Sequence, residues 1–147
     1  MKNLAILIDK PDHSQKFISL TKELNKLPSE INTTVFYCEP GPIPNKINFP
    51  VLEIMYGYIF EGIVIATDLF TANVMKNMMA TKEKYFYPWD LEYIYRPYAF
   101  NLLKDAFGNK LIARNQSRYD ILNSTWKQPE LIIEDFNVKQ LERLFSA

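Results

Sequence analysis

The side chains able to do chemistry in this chain stand at the ends of short apolar runs. "NLAILID" ends in Asp9, with Lys10 and then His13 just beyond; "TTVFYCE" ends in Glu39; "GIVIATD" ends in Thr67 and Asp68. Further on, "YFYPWD" ends in Asp90, "KLIARN" in Arg114 and Asn115, and "ELIIEDF" carries Glu134 and Asp135. Histidine is the side chain suited to proton transfer near neutrality, and His13, the only one in the sequence, supplies the candidate general bases together with Asp9. Lys10 and Arg114 can pair with anionic or hydroxyl groups, Asp68 and Asp90 can accept hydrogen bonds, and Asn115 completes the expected ligand-binding set. Polar residues are also ordinary where strands meet loops, and Asp68 and Asp90 each precede a predicted helix, where an acid serves as N-cap.

If the apolar runs are parallel strands, all of these groups gather along one sheet edge. The pattern supports that. "NLAILID" and "GIVIATD" are apolar on both faces, as strands covered by helices on two sides must be. Ser14 opens a helix with Phe17, Ile18, Leu20, Leu24 and Leu27 largely on one side, and Pro28 closes it. "PGPIPNKINFP" has four prolines in eleven residues and is a loop. "VLEIMYGYIF" reads as a short buried helix ending before Gly62. "LFTANVMKNMMATKEKY" repeats Leu69, Ala72, Val74, Met75, Met78 and Met79 at helical spacing. "NLLKDAFGN" is a helix stopped at Gly108, Ser117 opens a helix over "SRYDILNSTW", "ELIIEDF" is a strand and "VKQLERLF" a terminal helix. Alternating strands and helices predict one α/β domain over residues 1–147, a Rossmann-like three-layer sandwich with a mostly parallel sheet of about six strands. Ligands bind such sheets outside the carboxyl ends of the strands, where the strand order reverses.

Composition narrows the function classes. The chain has 147 residues, 48% of them hydrophobic, enough for a substantial core without covalent staples. Seventeen basic residues balance seventeen acidic ones, so no extended nucleic-acid surface is expected. One cysteine, Cys38, excludes an internal disulfide and a cysteine-based metal cluster, and its strand setting suggests a buried thiol. Neither a metal site nor another cofactor is expected, because one histidine and one cysteine stand far apart and the acids lack metal-ligand spacing. The four glycines form neither a dinucleotide-binding turn nor a phosphate loop, and no serine sits in a nucleophile elbow. The opening apolar run is too short for a secretory signal, and no stretch approaches the roughly 20 apolar residues of a membrane span. The expectation is a cytoplasmic protein.

The order "GIVIATDLFTANVMKN", "KYFYPWDLEY", "NKLIARNQSRYDILNSTW" and "PELIIEDFNVKQL" resembles the N-terminal, acceptor-type domain of GT-B glycosyltransferases, and most closely the glycosyltransferase-related proteins of marine T4-like phages. That resemblance spans about residues 62–140. It implies a sugar or nucleotide-sugar ligand, with the host cytoplasm as the compartment. The donor-binding second domain of such enzymes has no counterpart in these residues, so glycosyl transfer would need a partner chain. The competing expectation is a protein-interaction subunit, a homodimer for instance, because nine tyrosines and ten phenylalanines exceed what a small α/β core requires. Within "YFYPWDLEYIYRPYAF", eight aromatics in sixteen residues divide into a buried strand from Tyr85 to Trp89 and an exposed aromatic turn near Arg96 and Tyr98.

Overall fold

Five consecutive apolar residues, Leu4 to Ile8, leave β1 (Lys2–Ile8) no polar face, and the fold shields them completely from both sides. The computed structural model describes residues 2–44, 46–91 and 100–146. Its other strands are β2 (Ile31–Tyr37), β3 (Val51–Glu53), β4 (Ile63–Ala66), β5 (Glu83–Phe86), β6 (Lys110–Ala113) and β7 (Leu131–Ile132). Among the described residues all neighbouring strands are parallel, in the order β3-β2-β1-β4-β5-β6-β7, which is seven strands where about six were expected.

Side-chain alternation along β1 builds the two cores. Leu4, Ile6 and Ile8 face one layer, where they meet Phe17, Leu20 and Leu24 of α1 (Gln15–Leu24) and Leu141 of α5 (Val138–Glu142). Ala5 and Leu7 face the other layer, with Ala72 and Met75 of α2 (Leu69–Met75), Phe107 of α3 (Phe100–Phe107) and Leu122 of α4 (Gln116–Thr125). The result is the Rossmann-like three-layer α/β sandwich the sequence predicts. Strands β1 to β3 run outward one way and β4 returns to the opposite side of β1, so the order reverses between β1 and β4.

Four local expectations change. "VLEIMYGYIF" is no buried helix: Val51 pairs with Val35 at the sheet edge, a 3₁₀ turn over Ile54–Gly57 follows, and Met55, Tyr56 and Ile59 stay exposed. The free edge of β2 captures the β-branched start of this run before a helix can form. Helix α2 ends at Met75; Met78 is buried in the turn beyond, whereas Met79 faces solvent. Helix α4 starts at Gln116, one residue before Ser117, because the Asn115 side chain caps it by accepting the Arg118 amide at 2.8 Å. Strand β7 stops at Ile132, since Asp135 and Phe136 just beyond have φ of 46° and 60°, a left-handed turn incompatible with a ladder.

Of the aromatic stretch, Tyr85, Tyr87 and Trp89 pack in the α1/α5 layer and Phe86 in the opposite one, as alternation requires. Regular pairing of β5 ends at Phe86, and Pro88 has no N–H to extend a ladder. The chain nevertheless follows β4, through Tyr87 N–H to the Ala66 carbonyl at 2.8 Å and Trp89 N–H to the Thr67 carbonyl at 3.3 Å. The expected aromatic turn at Arg96 and Tyr98 lies outside the described residues.

Candidate functional site

The reversal point is built by short-range hydrogen bonding at the ends of β1 and β4. The Thr67 hydroxyl donates to the Leu7 carbonyl at 2.7 Å and ties the two strands together. Asp68 opens α2 in a capping box: its Oδ1 accepts the Thr71 amide at 2.7 Å, while the Thr71 hydroxyl accepts the Asp68 amide at 3.3 Å. Its other oxygen, Oδ2, faces the Lys16 ammonium at 3.4 Å. Asp9 Oδ1 stands 3.9 Å from the same ammonium. The Lys16 side chain is only 14% exposed, so it is a cation held between two carboxylates at the place where Rossmann-like sheets bind ligands. One donor of the ammonium points at Asp68, and the other two have no hydrogen-bond partner among the described residues.

Around this triad lie the end of β2 and the loop into α1. The amides of Cys38 and Glu39 both donate to the Asp9 carbonyl, at 3.0 and 2.8 Å. Burial, followed by the negative charges of Asp68, Asp9 and Glu39, pushes the Cys38 thiol up to about 11. In the loop, Asp12 Oδ1 accepts the Ser14 amide at 2.9 Å, and the Ser14 hydroxyl accepts the Phe17 amide at 3.3 Å to cap α1. Partial burial alone would raise the Asp12 carboxyl; the hydrogen bonds from Ser14 and the charges of Lys16 and Lys10 outweigh it and hold the carboxyl below its ordinary range. Gly41 closes this corner, since a Cβ there would lie 2.0 Å from the Pro11 carbonyl oxygen.

A second group of polar residues occupies the ends of β5 to β7. The Arg114 guanidinium lies over the Trp89 ring at 3.6 Å, its Nε donates to Asp135 Oδ1 at 3.1 Å and its Nη1 to the Trp89 carbonyl at 3.3 Å. Arg118 reaches the same carbonyl at 3.5 Å. Phe136 stacks on Trp89 with ring centroids 5.0 Å apart, and Tyr87 donates its hydroxyl to the Ile133 carbonyl.

Sheet order therefore places the sequence-predicted residues along one edge: Asp9, Lys10 and His13 after β1, Asp68 after β4, Asp90 beyond β5, and Arg114 and Asn115 after β6. Lys10, His13 and Asp90 are exposed, Asp68 and Asn115 cap helices, and Arg114 is engaged by Trp89 and Asp135. Lys16 was missed, although it joins Asp9 to Asp68. A signal for it exists: a cation in the first turn of a helix opposes the helix dipole unless something negative holds it there. Among the described residues no group of three or more His, Cys, Asp or Glu is placed to hold a metal ion, and no helix is long and apolar enough to cross a membrane.

The fold and its polar carboxyl edge define a Rossmann-like α/β domain with its sheet reversal between β1 and β4. Comparison with protein-family models, curated proteins and solved structures finds no match to this chain.

Proposed function

We propose that the protein binds a small hydroxyl-rich ligand, a sugar or the sugar part of a nucleotide sugar, at the carboxyl ends of β1 and β4. One observation carries this reading: the Lys16 ammonium held by Asp68 and Asp9 at the reversal point, with donor capacity to spare. Vicinal hydroxyls both donate and accept, so a site with two carboxylates beside one ammonium can satisfy a diol more fully than it can a phosphate, which the carboxylates repel. Lys10 and His13 border the site from the β1–α1 loop, with His13 or Asp9 as the base if a hydroxyl is to be activated. In this reading the domain would take part in glycosyl transfer in the manner of a GT-B acceptor domain, with the donor bound outside these residues.

Thermal shift against free sugars and nucleotide sugars tests the proposal. Ligand at a hundred times its Kd stabilises by about 2.7 kcal/mol, a shift of several degrees for a domain of this size. The Lys16→Met variant should fold and lose that shift. The absence of any shift at millimolar ligand in the wild-type protein overturns the reading.

A second reading, an oligomerisation subunit, is favoured by exposed Leu52, Met55, Tyr56, Tyr58 and Ile59 clustered on and after the edge strand β3. Light scattering decides it: a monomer at micromolar concentration rules out a stable homodimer.

A further inference from the structure

One edge of the sheet is a strand of only three residues, and its shortness has a local origin. Pairing of β3 begins only at Val51, opposite Val35, because the preceding chain is drawn towards the end of α1. There the Asn25 Oδ1 accepts the Asn48 amide at 3.0 Å, the Asn48 Nδ2 donates to the Asn25 carbonyl at 3.1 Å, and the Asn25 Nδ2 donates to the Lys46 carbonyl at 2.8 Å. The detour leaves a cavity of about 760 Å³ at the amino ends of β1 and β2. At its other end β3 runs straight into the 3₁₀ turn over Ile54–Gly57.

The backbone groups this edge offers follow from the register. The Val35 amide donates to the Pro50 carbonyl at 3.0 Å, and residues of a parallel strand alternate between facing their neighbour and facing away. Pro50 and Leu52 thus face β2, whereas Val51 and Glu53 turn their N–H and C=O groups outwards. The Val51 N–H and C=O and the Glu53 N–H have no hydrogen-bond partner among the described residues. Proteins ordinarily blunt such an edge with lysines, inward-pointing charges or a bulge. Here Glu53 is the one charged residue from Val51 to Phe60, and Leu52, Met55, Tyr56, Tyr58 and Ile59 are 41–83% exposed.

Side chains of this size cover on the order of 150–250 Å² each, so the five leave most of what one partner gives to a standard interface of about 800 Å² a side. A flexible peptide laid on a three-residue edge would form too few main-chain bonds to offset its ordering. A second copy brings an edge already ordered, together with the same apolar patch. About a two-fold axis through Leu52, perpendicular to the sheet, β3 is its own complement. The Glu53 amide of each copy then faces the Val51 carbonyl of the other, and the two Leu52 side chains stand directly opposite in an antiparallel pair. Register puts Leu52 on the face of Phe36, the layer that Ile54 and Phe60 also join, so both copies extend the same layer. Each Glu53 stands opposite a Val51 rather than the other Glu53, and a net charge of zero gives the copies no general repulsion.

We infer, building on the oligomerisation reading, that the protein forms a two-fold dimer by antiparallel pairing of β3 with β3 of a second copy, joining two seven-stranded sheets into one. Light scattering of the full chain at micromolar concentration should give twice the chain mass. Leu52→Lys should give the mass of one chain at the same concentration, with an unchanged circular dichroism spectrum. Cross-linking in a Cys38→Ser background reads the register. Leu52→Cys should close an intermolecular disulfide in a glutathione redox buffer, because opposed residues of a non-hydrogen-bonded pair have Cα atoms about 4.5 Å apart. Glu53→Cys should not, since the two copies of that residue lie beyond the roughly 7 Å that a disulfide spans. A wild-type monomer overturns the inference together with the oligomerisation reading. A dimer that survives Leu52→Lys, in which Leu52→Cys does not cross-link, or in which Glu53→Cys cross-links as readily, pairs in another way and overturns the inference alone.

Discussion

The Arg114 guanidinium lies 3.6 Å over the ring of Trp89 and donates to both the Trp89 carbonyl and Asp135. This single side chain therefore ties the end of β5 to the left-handed turn after β7, where Asp135 and Phe136 hold positive φ. Such backbone persists only where its surroundings fix it. Arg114→Lys keeps the charge but loses the planar fork and the stacking surface, and should cost about 1–2 kcal/mol. Urea denaturation measures the loss, and a change in tryptophan emission should accompany it in the folded state.

Asp68 performs two tasks with two oxygens, capping α2 and facing Lys16. Asparagine caps a helix about as well as aspartate does, so Asp68→Asn should retain the cap and lose the charge opposite Lys16, whereas Asp68→Ala should lose both. The alanine variant is expected to be about 1 kcal/mol less stable than the asparagine one. If Asp68 also accepts ligand hydroxyls, both variants should lose the ligand-induced thermal shift although only one loses the cap. Chemical denaturation with and without ligand reads the two tasks separately.

The layered fold was legible because buried parallel strands leave a continuous apolar signature: Leu4–Ile8 and Ile63–Ala66 admit few other structures. The carboxyl edge was legible for the same reason, since the polar residue after each run had to lie on one side of the sheet. Lys16 was less so: its place in the first turn of α1 is a faint signal, because a solvated lysine is ordinary on an amphipathic helix, and its pairing with Asp9 and Asp68, residues 7 and 52 positions away, is what gives it meaning. β3 was misread because three residues show no periodicity, and their strand state comes from an edge of β2 that exists only in the folded protein. The amino-end cavity depends on Asn25 drawing the 46–48 segment aside, a contact between distant loops that no local pattern encodes.

Tyr87 is fully buried and donates its hydroxyl to the Ile133 carbonyl. Removing that hydroxyl leaves a buried carbonyl unsatisfied, so Tyr87→Phe should cost about 1–3 kcal/mol despite its conservative shape. Burial, with a further contribution from the Asp135 charge, also raises the phenol well above its ordinary range. A group that holds its proton more tightly when folded contributes stability below its unfolded pKa and loses it as pH rises beyond. Alkaline titration should accordingly show phenolate absorbance from Tyr87 only together with unfolding.

Gly62 has φ of 151°, and a Cβ there would stand 2.5 Å from the Asn3 carbonyl oxygen. Gly62→Ala combines a disfavoured backbone with a clash against β1, and should destabilise by on the order of 3 kcal/mol. Asn3 lines the amino-end cavity and its Nδ2 donates to the Glu61 carbonyl, so relief of the clash would displace the cavity wall as well. Thermal denaturation of this variant, compared with Gly108→Ala at the end of α3, separates the effect from the ordinary loss of a glycine: at Gly108 the nearest atoms to a Cβ are 3.3 Å away.

Cys38 gives a probe of the carboxyl edge. Its thiol is pushed up to about 11 first by burial and then by Asp68, Asp9 and Glu39, from an ordinary 9.0. Only the thiolate reacts, so alkylation by iodoacetamide in the folded protein should be slow at neutral pH and should accelerate towards pH 11, well above the titration of a free cysteine. Folded stability should fall over the same interval, because the unfolded chain releases the proton more readily once pH exceeds 9.0. Substituting Asp68 with asparagine removes one of the charges that oppose ionisation and should move the alkylation profile to lower pH. A profile that is unchanged in Asp68→Asn would mean that the Asp68 charge does not reach the thiol and that burial, with Asp9 and Glu39, controls it.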